Sequence, residues 1–377
     1  MKTKKKSSKN SLFNRVVAWI HLWPSIVSGI IVVFVCLTGT IIVYNDEILN
    51  LTAGDARFVE VPIKKHYVTE DEIHEKILAL NPHYEISEFV FYKDANRSIK
   101  LRCFDKEKKG LLNVYVNPYT AEILKVDKTI HFFFVTAHLH SSLLAGKTGG
   151  WLVAISTIIF TISCLTGLIL WWPKKWNKTT IKASFTIKWK ARFKRFNYDL
   201  HNVYGFYSLA ICLVLGVTGL LIFFKPLMNL TIKASGGSTE HLEKALPKLD
   251  PSKPTIDFVT LAYQTLAKTS ANEISMWHSD DEKVGAYAFS TGEAELRSTE
   301  NKVIYIIDRH TGKEMKLDDS FIKHETTENV VWQLHMGQWW GWIGKLSSFL
   351  AGVVATSLPI TGFLIWWGKR KKKPKLK

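Results

Sequence analysis

Apolar runs alternate with polar stretches along this 377-residue chain, and four of the runs are long enough to cross a bilayer. The first covers residues 16–44, from Val16 to Tyr44. It is longer than a signal-peptide core and has no small-x-small cleavage site before Asp46, so it predicts an uncleaved span. The second lies in 136–172, where a short apolar piece from His138 is interrupted by Gly146, Gly149 and Gly150 before a full span at Trp151–Trp172. The third covers 200–225 and the fourth lies in 334–367. A continuous helix from His140 to Thr166 would rise roughly 39 Å at about 1.5 Å per residue, more than a hydrocarbon core of roughly 30 Å. His140 is therefore expected at the outer boundary, on a helical turn of its own.

The polar stretches read differently. In residues 45–135, Thr69 and Glu72 form a capping-box pattern opening a helix that Asn81-Pro82 ends. Strand patterns follow at Ile86–Tyr92, Ser98–Phe104, Leu111–Val116 and Glu122–Val126, with a turn at Asn117-Pro118-Tyr119-Thr120. Residues 226–333 repeat the order: a helix over Thr255–Lys268, strands at Glu273–His278, Val284–Ser290 and Val303–Ile307, and a turn at Asp308-Arg309-His310-Thr311. The expectation is a mainly α membrane protein. It has four transmembrane helices in two tandem repeats, with two small α+β modules outside the membrane.

Charge orients the spans. The chain has 50 basic and 33 acidic residues, net +17, a balance that alone would suggest a nucleic-acid partner. The excess is confined to three segments, however: residues 1–15, the loop 173–199 and the tail 368–377. Six bases precede the first span, nine lie between Pro173 and Tyr198, and seven close the chain, leaving 28 bases against 33 acids elsewhere. That is the positive-inside pattern, with both termini cytoplasmic, and it favours anionic lipid over nucleic acid. Trp339, Trp340 and Trp342 at one edge of the fourth span, and Trp366-Trp367 at the other, form aromatic belts. Of the four cysteines, Cys36, Cys164 and Cys212 fall inside apolar spans and Cys103 stands alone, so no disulfide framework or Cys-x-x-Cys-His haem attachment is indicated.

The repeat carries histidines. His140 precedes Thr166-Gly167 by 26 residues, and His335 precedes Thr361-Gly362 by the same 26. His21 precedes Thr38-Gly39 by 17, and His201 precedes Thr218-Gly219 by 17. The topology puts His21 and His201 at the inner edge and His140 and His335 at the outer edge. Parallel repeats are related by an axis along the membrane normal, so equivalent histidines face each other at equal height. Two facing neutral imidazoles per membrane face suit two bis-histidine haems. Zinc needs four close ligands, and here each level offers two. Arg15 and Arg195 each lie six residues before a histidine and could pair with haem propionates. The four glycines would clear space for a macrocycle or a neighbouring helix.

Blander readings apply to each feature taken alone. An interfacial histidine is usually only a polar boundary residue, Arg15 and Arg195 can be ordinary positive-inside charges, and Thr-Gly pairs often serve helix packing. His138 matches Gln333 of the other half and is the weaker candidate beside His140. His66, His74, His83, His131, His241, His278, His310 and His324 share no spacing and are expected on a solvated surface.

The motifs His21-Leu22-Trp23, Leu139-His140, Trp171-Trp172-Pro173, Asp199-Leu200-His201 and Leu334-His335-Met336-Gly337 resemble the PepSY-associated transmembrane family of iron-regulated inner-membrane proteins. Members of that family include ferric-siderophore reductases. The turns at Asn117–Glu122 and Asp308–Lys313 look like the PepSY hairpin, with Ala121 where the family usually has Gly. The resemblance covers nearly the whole chain. It implies periplasmic PepSY-like modules and a two-haem (b-type) oxidoreductase in a bacterial cytoplasmic membrane, passing electrons outward to a ferric siderophore. His140 and His335 would hold the outer haem, and His21 and His201 the inner one. A quinol or a separate cytoplasmic reductase would be the donor, since no Rossmann or flavin module is present. Trp332, Trp339, Trp340 and Trp342 would form a substrate rim. Two other readings stand beside it: a non-enzymatic membrane-anchored PepSY protein that binds a periplasmic protease or peptide, and a transporter with the histidines in a proton path.

Overall fold

The computed structural model describes residues 11–64, 66–240, 242–277, 284–292 and 302–370. Most of the basic N-terminus, the end of the basic tail, His241 and His278 lie outside the described residues. In chain order the helices are α1 (Leu12–Ile42), α2 (Asn45–Ala53), α3 (Glu70–Leu80), α4 (Thr129–Ser142), α5 (Gly146–Trp171) and α6 (Lys178–Phe185). They continue with α7 (Phe193–Phe223), α8 (Lys225–Ala234), α9 (Phe258–Lys268), α10 (Asp319–Met336) and α11 (Trp342–Arg370). The strands are β1 (Tyr84–Tyr92), β2 (Ile99–Asp105), β3 (Gly110–Val116), β4 (Ile123–Asp127), β5 (Glu273–Trp277), β6 (Ala286–Thr291), β7 (Ile304–Asp308) and β8 (Glu314–Met315). The chain divides into two units. One holds residues 1–43, 136–224 and 334–377; the other holds 44–135 and 225–333.

In the first unit, α1, α5, α7 and α11 are each long and apolar enough to cross a membrane. They form a closed ring of contacts: α1 packs on α5 and α11, and α7 packs on the same two. Small residues make the close approaches. Gly29 lies against Pro359, Gly216 against Thr161 and Gly352 against Thr40. Between spans there is no water-driven gain from burying apolar surface, so close backbone packing of this kind does the work. Bulky side chains such as Val27 and Ile30 on α1, and Leu350 and Val353 on α11, point outward, as a lipid-facing surface requires. His140 lies on α4, which the turn at Leu143–Ala145 separates from α5; Leu143 and Leu144 take left-handed backbone there.

In the second unit, the strands of the two polar stretches share one eight-stranded antiparallel sheet, in the order β4-β3-β2-β1-β5-β6-β7-β8. The join is β1 to β5, running from Glu88↔Trp277 to Tyr92↔Glu273. Sequence reading expects two separate modules, because the partner of an edge strand leaves no local trace. One face carries the core: Phe89 and Phe91 of β1, Leu101 of β2, Val114 of β3 and Ile274 of β5 pack with Phe258 and Leu261 of α9 and with Ile73 and Ile77 of α3. The capping box at Thr69 and Glu72 opens α3. The N-cap of α9, Asp257, also accepts a hydrogen bond from the Glu70 amide at 3.1 Å. The two turns match: Ala121 N–H donates to Asn117 O, and Gly312 N–H to Asp308 O. Ala121 has φ 55° where Gly312 has φ 65°. A glycine takes this left-handed geometry freely, whereas Ala121 holds it at a cost of about 1–2 kcal/mol.

Candidate functional site

The four histidines of the repeat meet in twos inside the helical unit. His21 of α1 and His201 of α7 have ring centroids 6.4 Å apart, with planes at 80°. His140 of α4 and His335 of α10 are 6.0 Å apart, with planes at 54°. All four side chains are only part-buried, with an edge left open.

Each ring sits on a Thr-Gly pair of another helix. His140 lies on Thr38-Gly39 of α1, and a Cβ at Gly39 would come within 2.8 Å of His140 Cε1. His21 lies on Thr166-Gly167 of α5, where the corresponding approach is 3.2 Å. His335 lies on Thr218-Gly219 of α7 at 3.0 Å, and His201 on Thr361-Gly362 of α11 at 3.2 Å. The glycines therefore make room for the imidazoles themselves.

Hydrogen bonds fix the rings. His140 Nδ1 is 2.8 Å from Val35 O, and His21 Nδ1 is 3.1 Å from Ser163 O. His335 Nδ1 is 3.2 Å from Leu215 O; His201 Nδ1 is 2.9 Å from Thr361 Oγ1, and His201 also bonds the Leu358 carbonyl. A carbonyl only accepts, so Nδ1 is the protonated nitrogen and the lone pair of each neutral ring is on Nε2. That is the arrangement in which a histidine ligates a metal.

A cavity of about 420 Å³ opens beside the first pair, lined by His21, His201, Trp171, Tyr198, Phe206 and Trp366 among others. Its volume is in the usual range for small-molecule and cofactor sites. Lys369 is the cation on its wall. Arg195, one of the expected propionate partners, is engaged by Asp199: Nη2 is 2.8 Å from Oδ1 and Nε donates to Oδ2 at 3.1 Å. Arg15 is exposed on the first turns of α1. Asn197, one turn before His201, donates from Nδ2 to Thr361 O at 3.0 Å and so ties α7 to α11 at this level.

The separation within each pair suits two imidazoles on one metal. An imidazole nitrogen binds a metal at about 2 Å, and its ring centroid lies roughly 1 Å further back, so imidazoles on opposite sides of one metal have centroids roughly 6 Å apart. The two observed separations, 6.4 and 6.0 Å, agree with that figure. Among the described residues no three His, Cys, Asp or Glu side chains converge, so the donor set is two per site.

The remaining candidates fall elsewhere. His138 is exposed on α4, and the ring paired with His335 is that of His140. Trp339 and Trp340 are in contact at 4.9 Å, and Trp340 and Trp342 are strongly exposed. Trp332 belongs to the second unit, where its Nε1 donates to Glu328. His66 and His83 are exposed, whereas His74, His131, His310 and His324 are part-buried within the second unit.

A four-span bundle carrying two facing pairs of histidines makes this a multi-pass membrane protein with a candidate cofactor site built from its own helices. The chain belongs to the PepSY-associated TM family: the model of the PepSY-associated TM region matches residues 18–369. No curated protein matches it.

The four threonines were visible in the repeat, but their role was not. Spacing along one helix is blind to which other helix faces it. Lys369 was equally hidden, read as one more base of the tail.

Proposed function

We propose that this protein is a di-haem oxidoreductase of a bacterial cytoplasmic membrane that reduces ferric-siderophore iron on the periplasmic side. The observation that carries the reading is the pair of imidazole couples, each spaced for one iron. Haem, when bound, supplies one-electron transfer. His21 and His201 would hold one iron from both sides, and His140 and His335 the other. With two imidazoles committed to each iron, such a centre would exchange electrons rather than bind substrate at the metal. The Thr-Gly seats keep each ring from turning, and Lys369 offers a cation to a propionate beside the first pair.

The substrate chemistry follows from iron. One electron converts tightly chelated ferric iron to ferrous iron, which the siderophore holds far less well. The bases flanking the spans support an orientation with the His21–His201 pair toward the cytoplasm, where a quinol or a separate reductase would donate. The His140–His335 pair then lies toward the periplasm, near the exposed Trp340 and Trp342.

The test is spectroscopic first. Purified protein should show a b-type spectrum with two haems per chain by pyridine haemochrome. The dithionite-reduced protein should be reoxidised by a ferric siderophore, with ferrous iron trapped by a chromogenic chelator. Protein free of haem after expression in haem-replete cells would end the reading in favour of a non-enzymatic PepSY protein or a transporter.

A further inference from the structure

We infer that Thr38, Thr166, Thr218 and Thr361 are positioning residues that share, as second acceptors beside a backbone carbonyl, the Nδ1–H of the histidine each one faces, and through it tune the reduction potential of the centre that histidine ligates. This rests on the di-haem reading and adds a role for residues outside the ligand set.

Each threonine hydroxyl spends its single proton on its own helix. Thr38 donates to Phe34 O at 2.7 Å, Thr166 to Ile162 O at 2.9 Å, Thr218 to Val214 O at 2.7 Å and Thr361 to Ser357 O at 3.0 Å. A hydroxyl has one proton and two lone pairs, so what it turns to the histidine is an acceptor. The histidine Nδ1 must then be the donor. The distances from Oγ1 to Nδ1 are 3.4 Å at Thr38, 3.2 Å at Thr166, 3.1 Å at Thr218 and 2.9 Å at Thr361. Back-bonding alone is ordinary for threonine in a membrane helix. Here, though, all four such threonines precede a glycine with an imidazole over it, on four different helices.

A bond from Nδ1–H to an acceptor makes the imidazole a stronger donor at Nε2. Stronger donation favours the oxidised metal, so it lowers the potential; removing the acceptor raises it. The seats differ in a way that grades the effect. At His140 the Val35 carbonyl is close, at 2.8 Å, and the Thr38 hydroxyl is distant. At His201 the Thr361 hydroxyl lies at 2.9 Å, the shortest of the four hydroxyl contacts, beside the Leu358 carbonyl. Thr361 should therefore matter most and Thr38 least.

The experiment uses the full-length haem-loaded protein in detergent and reads haem content and both midpoint potentials by spectroelectrochemical titration. Valine keeps the shape of threonine and removes the hydroxyl; serine keeps the hydroxyl. T361V should raise the potential of one centre only, T38V should barely move the other, and T361S should return the wild-type value. Should T361V not hold haem, T166V reads the same centre with the Ser163 carbonyl still in place. Two haems with an unshifted T361V, or a serine variant shifted as far as the valine one, would overturn the inference and leave the oxidoreductase reading intact. Wild-type protein without haem would instead remove that reading and the inference together.

Discussion

The imidazole of His140 rests on Gly39, so closely that a Cβ there would come within 2.8 Å of its Cε1 atom. No larger residue fits while the ring stays where it meets His335. On the proposed di-haem reading, Gly39→Leu should therefore displace His140 and cost the haem of that pair, giving half the wild-type haem content. Gly219→Leu should remove the same haem from the other side, whereas Gly167→Leu and Gly362→Leu should remove the other one. Pyridine haemochrome quantitation of the four variants checks this, and full haem content in G39L would refute it.

The histidine pairs predict a pattern of losses and two distinguishable spectra. His21→Ala and His201→Ala should abolish one and the same centre, and the double variant should be no worse than either. His21→Ala with His140→Ala should abolish both centres. The ring planes stand at 80° in one pair and 54° in the other. On the proposed di-haem reading the two pairs are not equivalent, so their centres should give two distinguishable low-spin ferric EPR signals. H201A should remove one signal and leave the other.

How far the residues alone foretell this architecture varies by element. The spans announce themselves, because about 20 apolar residues have few other uses. The capping box at Thr69 and Glu72 is local chemistry and is read directly. The spacing of 17 and 26 residues selects the four histidines and the four Thr-Gly pairs. It pairs them wrongly along the chain: His140 is matched by count with Thr166 but sits on Thr38. Contacts between helices depend on rotation and tilt, which spacing along a single helix does not encode. The β1–β5 join is hidden for the same reason, since strand edges separated by 180 or so residues of sequence pair through geometry formed only after folding. Short α2, α6 and α8 lack the length to show a clear period.

Cys103 gives a test of the sheet core by pH. It lies fully buried on β2, and burial pushes its thiol up to about 12. The reactive form is the thiolate, so the group should stay unmodified by maleimide from pH 7 to 9 in the folded protein. A thiol whose pKa is raised by folding costs stability above the unfolded value of about 8.5: the folded state keeps a proton the unfolded state releases, so stability falls as pH climbs from about 8.5 toward 12. Peptide mass spectrometry after labelling should find Cys103 modified only once denaturant is added. Modification under native conditions would mean that the sheet opens locally.

Glu88 and Arg102 face each other across β1 and β2 at 2.6 Å, both nearly inaccessible to solvent. Removing one partner of a buried pair leaves an uncompensated charge, typically at about 3–5 kcal/mol. Glu88→Ala should therefore lower the thermal midpoint sharply, while Glu88→Met with Arg102→Met should recover most of the loss. A melt of full-length protein in detergent, followed by proteolysis of the second unit, measures both. Equal destabilisation by the single and double variants would count against the ion pair as the cause.

The last prediction concerns where a ferric chelate would dock. Trp340, just ahead of α11, and Trp342, its first residue, expose most of their surface, 76% and 72%. Aromatic side chains dominate recognition surfaces, and truncating one at such a site commonly costs more than 1 kcal/mol. The double variant W340A/W342A should raise the KM for ferric-siderophore reduction by about 10-fold, equivalent to about 1.4 kcal/mol of binding. Haem content and both midpoint potentials should stay at wild-type values, since neither ring belongs to a histidine seat. Single-turnover reoxidation of dithionite-reduced protein over a range of chelate concentrations separates the two effects. An unchanged KM would move the docking surface away from these tryptophans, and a lower rate at saturating chelate would instead tie them to electron transfer.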